Sequence, residues 1–164
     1  MKIHPDSIAC DCCGKEIPPE SIEPRYHLPD MVFERLKEGT TVGDIITKEA
    51  IDFKDHCYIR GLMAVPVCGR ADPMQIGIWV EVDQDDLYAY ISSMESFRRQ
   101  QFKGRLANVI PNYPELREVE VVLLDHSTTT RPSVTIKEED SPLGQLQRVG
   151  IKEHDVIDFF GNKK

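Results

Sequence analysis

The sequence predicts an α+β protein with a largely antiparallel sheet, packed helices and an irregular, zinc-knuckle-like N-terminal segment. Three observations carry that prediction. Strand-like segments succeed one another from Cys57 to Lys137, and helical periodicity is confined to stretches between and after them. Of the 164 residues, 40% are hydrophobic and 29% charged, enough apolar material for a core and too much for a disordered chain. No repeat, low-complexity tract or Gly/Ser linker interrupts the chain, so residues 1–164 read as one domain. Residues 1–27 are its lead-in and 28–164 its body.

The lead-in carries Pro5, Pro18, Pro19 and Pro24, which argue against regular structure there. Pro29-Asp30 then opens a short helix in which Met31, Val32 and Leu36 fall at helical spacing, with Gly39 just past its end. From Cys57 to Val82 the period changes to two. Ile76, Ile78, Val80 and Val82 share one face, Cys57 to Val67 is apolar and partly β-branched, and Gly69 to Pro73 supplies the turn of a hairpin. Trp79 on that strand is a core or sheet-face aromatic. Asp83 to Gln100 has the strongest helical pattern, with Leu87, Ile91 and Met94 on one face. Asp83 stands at the cap, Asp85 and Asp86 near the positive end of the dipole, and Arg98 and Arg99 at the negative end. Strands are expected over Phe102–Ile110, Val119–Asp125 and Ser133–Lys137. A helix from Ser141-Pro142 through Gln147 is ended by Gly150, and an amphipathic piece runs from Lys152 to Phe160.

Charge and ends bound the function. Twenty Lys and Arg stand against 28 Asp and Glu, a formal charge of −8. Such a surface repels phosphate backbones, so nucleic acid is not expected as a partner. The start, Met1-Lys2-Ile3-His4-Pro5-Asp6, has no apolar run of signal-peptide type, and Leu62 to Cys68 is too short to span a bilayer. A cytoplasmic protein without membrane contact is expected.

Chemistry is concentrated in the cysteines, three of the five lying within Cys10-Asp11-Cys12-Cys13. In a reducing compartment such clustering points to metal ligation or thiols rather than to a disulfide framework. Cys10-x-x-Cys13-Gly14 has the form of a zinc knuckle. A tight turn aims both sulfurs at one ion, and the glycine can take the left-handed conformation that lets backbone N–H groups reach the thiolates. A closed site needs two more ligands, and Cys12, His27, His56, Cys57 and Cys68 are available. Cys10 and Cys13 lead, with His27 and Cys57 expected to complete a structural zinc site. Unligated thiols and a redox pair remain as alternatives, although redox pairs of this spacing follow a strand and open a helix rather than sit among prolines. No His-Glu-x-x-His, Gly-rich phosphate loop or dinucleotide fingerprint occurs. The run Arg98 to Arg105 could contact phosphate, but reads more simply as a solvated helix end. Glu138-Glu139-Asp140 could attract a basic partner, but reads as a polar turn. His126-Ser127-Thr128-Thr129-Thr130 reads as a loop rather than as part of a triad.

Taken together, the motifs resemble the bacterial family called domain of unknown function 2199. The resemblance rests on Cys10-x-x-Cys13-Gly14, His27-x-Pro29, Tyr58-Ile59-Arg60-Gly61, Ile78-Trp79-Val80-Glu81-Val82 and Gly104-x-Leu106-x-Asn108-x-x-Pro111-x-Tyr113-Pro114. Arg131-Pro132 and Pro142-Leu143-x-x-Leu146-Gln147-x-x-Gly150-Ile151 continue it, all in one order. It implies a compact bacterial cytoplasmic domain with Cys10 and Cys13 as a metal pair, and brings no activity with it. The chain departs from the family pattern at Ala50, where the pattern has Cys, and at Glu115, where it has Thr. The function expected is a non-enzymatic binding protein with a structural zinc and a protein partner. Its alternatives are an acidic immunity-type protein that neutralises a basic toxin, and a metal- or cysteine-dependent enzyme, with Cys12 the candidate thiolate.

Overall fold

The computed structural model describes residues 8–9, 16–17, 27–37, 49–53, 56–94, 96–110, 119–126, 130–152 and 155. Two short strands, β1 (Ile8–Ala9) and β2 (Glu16–Ile17), pair antiparallel with Ile8 opposite Ile17. Helix α1 (Asp30–Lys37) follows. Then come β3 (Ala50–Phe53), β4 (His56–Val65), β5 (Met74–Val82), α2 (Gln84–Ser93), β6 (Gln100–Leu106), β7 (Glu120–Asp125), β8 (Ser133–Ile136) and α3 (Pro142–Val149).

Successive strands from β3 to β8 pair antiparallel, and β8 returns to β4 through a parallel contact of Leu62 with Ser133. Strands β4 to β8 therefore close into a five-stranded mixed barrel with β3 added to its side. The α+β class holds, but the sheet is closed by a parallel seam rather than being a simple antiparallel one. The seam requires Gly61. A Cβ there would lie against Val134 Cγ2 and 3.0 Å from both Leu123 Cδ2 and the Pro132 carbonyl. Strands β5 and β6 touch over only two in-register pairs, Val80 with Leu106 and Glu81 with Arg105, and then diverge.

Alternation along the strands sorts side chains onto two sides of the barrel wall. Cys57, Ile59, Met63, Ile76, Ile78, Val80, Phe102, Leu123 and Val134 join the larger cluster, to which α2 adds Leu87 and Tyr90 and α3 adds Leu143 and Leu146. On the other side a smaller cluster of Val32, Ile51, Phe53, Tyr58 and Trp79 seats α1 against the wall, with Leu28, Met31 and Leu36 packed around it. Arg60, opposite Trp79 in the β4–β5 register, lies over the indole at 5.6 Å from its centroid, a cation–π contact between two buried groups.

Asn108 fastens α1 to the barrel. Its Oδ1 accepts the Trp79 N–H at 2.9 Å, and its Nδ2 donates to the Leu28 carbonyl at 2.9 Å and to Asp30 Oδ1 at 3.0 Å. Asp30 Oδ2 accepts the Val109 N–H at 2.8 Å. This network ends β6 at Leu106, before the Ile110 expected from the apolar run, because Asn108 turns from the ladder to hold the Trp79 amide.

Helix α2 also ends earlier than its periodicity suggested, at Ser93 rather than Gln100. The single proton of Ser93 Oγ is shared between the Tyr90 carbonyl at 2.6 Å and the buried Asp125 carboxylate at 2.9 Å, a local alternative to continuing the helix. Gln100 already pairs with Asp125 as the first residue of β6. Arg98 and Arg99 consequently lie in the irregular chain between α2 and β6 and are not a helix C-terminus. Asp83 occupies the N-cap of α2 without a side-chain cap bond. Ser141 does cap α3, its Oγ accepting the Gly144 N–H at 3.0 Å, and Gly150 ends that helix with φ +89°. The expected amphipathic piece after Lys152 lies outside the described residues apart from Asp155. No described helix is long and apolar enough to cross a membrane.

Candidate functional site

The row of in-register residues across the barrel wall is alternately charged. Glu81 on β5 stands opposite Arg105 on β6, and Arg105 opposite Glu120 on β7. The Lys137 ammonium, just beyond β8, is 3.3 Å from the Glu120 carboxylate. The Glu120–Lys137 contact is an exposed cross-strand ion pair, of a kind that contributes a few tenths to about 1 kcal/mol. At the β4 end of the row, His56 Nδ1 lies 2.6 Å from Glu81 Oε1. A carboxylate on Nδ1 fixes the ring orientation and leaves Nε2 as the nitrogen open to a ligand.

These residues line a groove of about 580 Å³, together with Val82, Asp83, Gln84, Lys103, Gly104 and Val121. The groove opens where β5 and β6 part beyond the Glu81–Arg105 pair, and Gly104, the next residue on the parting side, still lies close against β5. A Cβ on Gly104 would be 2.5 Å from the Glu81 carbonyl oxygen. Among the described residues, Lys103 and Arg105 have no carboxylate within ion-pairing distance, so both cations face the groove.

Beside the groove is a second depression, an apolar slot of about 210 Å³ between β3 and α2. Ala50, Ile51, Leu87, Tyr88, Ile91 and Met94 form it, and Asp52 is the charged residue in its wall. A chain of hydrogen bonds separates the two depressions. Gln84 Nε2 donates to Tyr88 Oη at 3.5 Å, and Tyr88 Oη donates to Asp52 Oδ2 at 3.4 Å. The first turn of α2 is acidic. Burial, with Asp83 and Asp85 beside it, raises the Asp86 carboxyl above its ordinary range.

A third polar cluster lies where α2 meets β7. Asp125 accepts from Ser93 and, at 3.2 Å, from Gln100, while Arg131 grips Glu49 through Nε at 2.8 Å and Nη2 at 3.0 Å. Burial, then Glu49 and Asp125 nearby, push the Tyr90 hydroxyl up to about 12. The Ser93, Gln100 and Arg131 side chains all donate to carboxylates of the cluster, which marks it as a fastening between helix and barrel. His126 Nε2, 2.9 Å from Ser133 Oγ, likewise joins the end of β7 to the start of β8.

The residues expected to hold zinc are placed as follows. Cys10 and Cys13, with Cys12, lie outside the described residues, in the sequence between the paired strands β1 and β2. His27 is exposed, one residue before the Leu28 that packs under α1. Cys57 is buried in the larger cluster, its Sγ 3.8 Å from Asp52 Oδ1. Tyr58, the next residue, belongs to the cluster beneath α1, so the thiol points away from the side on which α1 and His27 sit. Cys68 is exposed beyond the far end of β4. Among the described residues, no group of three or more His, Cys, Asp or Glu could hold a metal ion.

Sequence reasoning named His56 as a spare metal ligand and Lys103 and Arg105 as part of a basic run. It missed their meeting with Glu81, Glu120 and Lys137. The available signal was the alternation of β6, which puts Lys103 and Arg105 on one face and Phe102, Gly104 and Leu106 on the other.

A family model whose description is "uncharacterized protein conserved in bacteria (DUF2199)" matches residues 9–151. The chain belongs to the DUF2199 family. The match covers the β1–β2 hairpin, the barrel and α3. No curated protein and no solved structure matches the chain. Within this DUF2199 chain three of the glycines and Asn108 noted in the sequence as family motifs occupy positions of structural constraint: Gly61 at the seam, Gly104 at the β5 crossing, Gly150 against the Pro66 carbonyl, and Asn108 between Trp79 and α1.

Proposed function

We propose that this DUF2199 protein is a non-enzymatic binding protein that recognises a protein partner at the barrel end formed by the groove and the slot. One observation carries this reading: a charged groove and an apolar slot lie side by side, divided by the Gln84–Tyr88–Asp52 bonds. An apolar recess beside exposed, fixed charges is the composition of a protein-binding surface, with burial supplying affinity and charge supplying register. The self-pairing of Glu81 with His56 and of Glu120 with Lys137 supports recognition rather than turnover, since those side chains are already held in place. In the same proposal, Cys10 and Cys13 hold a structural zinc that ties down the N-terminal segment. Support comes from their spacing and from the pairing of β1 with β2 on either side of them. Cys57, seated in the core, would have to leave it to join them, whereas His27 lies on the exposed side.

Two measurements test the proposal. A photo-crosslinking amino acid at Gln84 or Lys103, in cells expressing the protein, is expected to capture one discrete partner that the same probe at Arg70 does not. Equal labelling from all three positions overturns the partner reading. Metal analysis of untagged protein is expected to find about one zinc per chain, lost with thermal stability in the Cys10→Ser, Cys13→Ser double variant. Absence of metal from the parent protein overturns the zinc reading.

A further inference from the structure

We infer that the slot between β3 and α2 takes a single large apolar side chain from a basic segment of the partner. This rests on the partner-binding reading above and gives that partner its chemistry.

Size comes first. An apolar cavity of about 150 Å³ holds a benzene ring. The 210 Å³ of the slot therefore accommodates one Phe, Met or Leu side chain and not two. Its walls are ready for such an anchor. Ala50 and Leu87, 5% and 1% exposed and both in the larger cluster, form its floor, while Tyr88 and Met94, each 49% exposed, stand at its lip. Filling the slot would remove the exposed faces of those two side chains from water.

Charge selects the rest. The single charged wall residue is Asp52, and Asp83 at the N-cap with Asp85 and Asp86 in the first turn begin the helix α2, which supplies three of the slot residues and ends at a fourth, its C-cap Met94. No cation lines the slot among the described residues. The whole chain carries a formal charge of −8, which repels a second copy of itself and attracts a cationic partner. A segment with Lys or Arg on either side of an apolar anchor satisfies both features. Its cations meet Asp52 and the first turn of α2 while the anchor enters the slot.

The test uses the full chain and three synthetic peptides, acetyl-Arg-Arg-Phe-Arg-Arg-amide, acetyl-Glu-Glu-Phe-Glu-Glu-amide and acetyl-Arg-Arg-Gly-Arg-Arg-amide, titrated by amide chemical-shift mapping. The basic Phe peptide is expected to bind saturably, with the largest shifts at Asp52, Tyr88 and Met94. The other two peptides bind at least tenfold more weakly. Met94→Lys, at an exposed position that leaves the core intact, weakens binding at least tenfold, and Asp85→Asn with Asp86→Asn weakens it several-fold. The fluorescence of Trp79 verifies that each variant is folded. Equal affinity for all three peptides, preference for the acidic one, no saturable shift at the slot, or indifference to Met94→Lys overturns the inference. So do slot resonances that move with protein concentration alone, which would make the occupant a second copy. If the peptides fail while crosslinking from Gln84 and Lys103 still captures a discrete partner, the slot chemistry is wrong and the wider reading stands. Loss of that crosslinking overturns the wider reading.

Discussion

Replacing Asn108 by Ala removes three hydrogen bonds from a side chain that is 2% exposed. Each costs about 1 kcal/mol on average, and a buried partner left bare adds roughly 1–3 kcal/mol. The Trp79 amide carries the larger penalty, because Trp79 is wholly buried and water cannot replace the lost acceptor. The Leu28 carbonyl and Asp30 are half-buried and can recruit water, so they contribute less. The sum is about 4 kcal/mol, a large part of the roughly 5–15 kcal/mol that holds a domain together. With a urea slope of about 2 kcal/mol per molar, the midpoint should fall by about 2 M. The single tryptophan makes the assay direct, since Trp79 sits in the cluster that α1 covers and its emission reports the loss of that cover. Asp30→Ala should be strongly non-additive with Asn108→Ala, with a coupling near 1 kcal/mol, because the two side chains share a bond. A midpoint shift below about 0.5 M, or strict additivity in the double variant, would refute the argument that this network fastens the helix.

Three further outcomes are expected. Gly61→Ala should destabilise by about 2 kcal/mol in urea titration, because the added methyl meets Val134 and the Pro132 carbonyl across the seam; an unchanged midpoint would mean that the seam relaxes freely. Stability should fall as the pH rises through 10 towards 12. The Tyr90 hydroxyl is raised by burial in the folded state, so the unfolded chain releases that proton first and the stabilisation present below pH 10 is lost by about 12; Tyr90→Phe should flatten the slope of urea midpoint against pH. Ser141→Ala removes the cap of α3, whose Oγ also donates to the Glu138 carbonyl at 2.6 Å, and should lower stability by about 1 kcal/mol in the same titration.

Periodicity is legible where an element settles its own geometry. Met74 to Val82 alternates cleanly, and its hairpin with β4 forms in the expected place. Pro142 and Gly150 punctuate α3 as their backbone preferences demand. Periodicity misleads from Met94 to Gln100, where apolar spacing continues a helix that the pairing of Gln100 with Asp125 forbids. Strand β3 is invisible because four residues, Ala50 to Phe53, are too few to show a period. The groove was harder still. His56, Glu81, Arg105, Glu120 and Lys137 come from or adjoin five different strands, and only the register of those strands aligns their charges. The clearest chemical signal in the sequence, Cys10 and Cys13, falls outside the described residues.

The parallel contact between Leu62 and Ser133 bears on the order in which the chain folds. The β3–β4, β4–β5, β6–β7 and β7–β8 ladders each join neighbours in sequence, whereas the Leu62 N–H finds the Pro132 carbonyl at 2.8 Å only after everything between them has been arranged. Closing so long a loop costs chain entropy before any contact offsets it, so adjacent hairpins assemble early and the seam completes the barrel late. The closing contact packs Val134 directly against Gly61, so a side chain added at that glycine would oppose this last step rather than the hairpins that precede it.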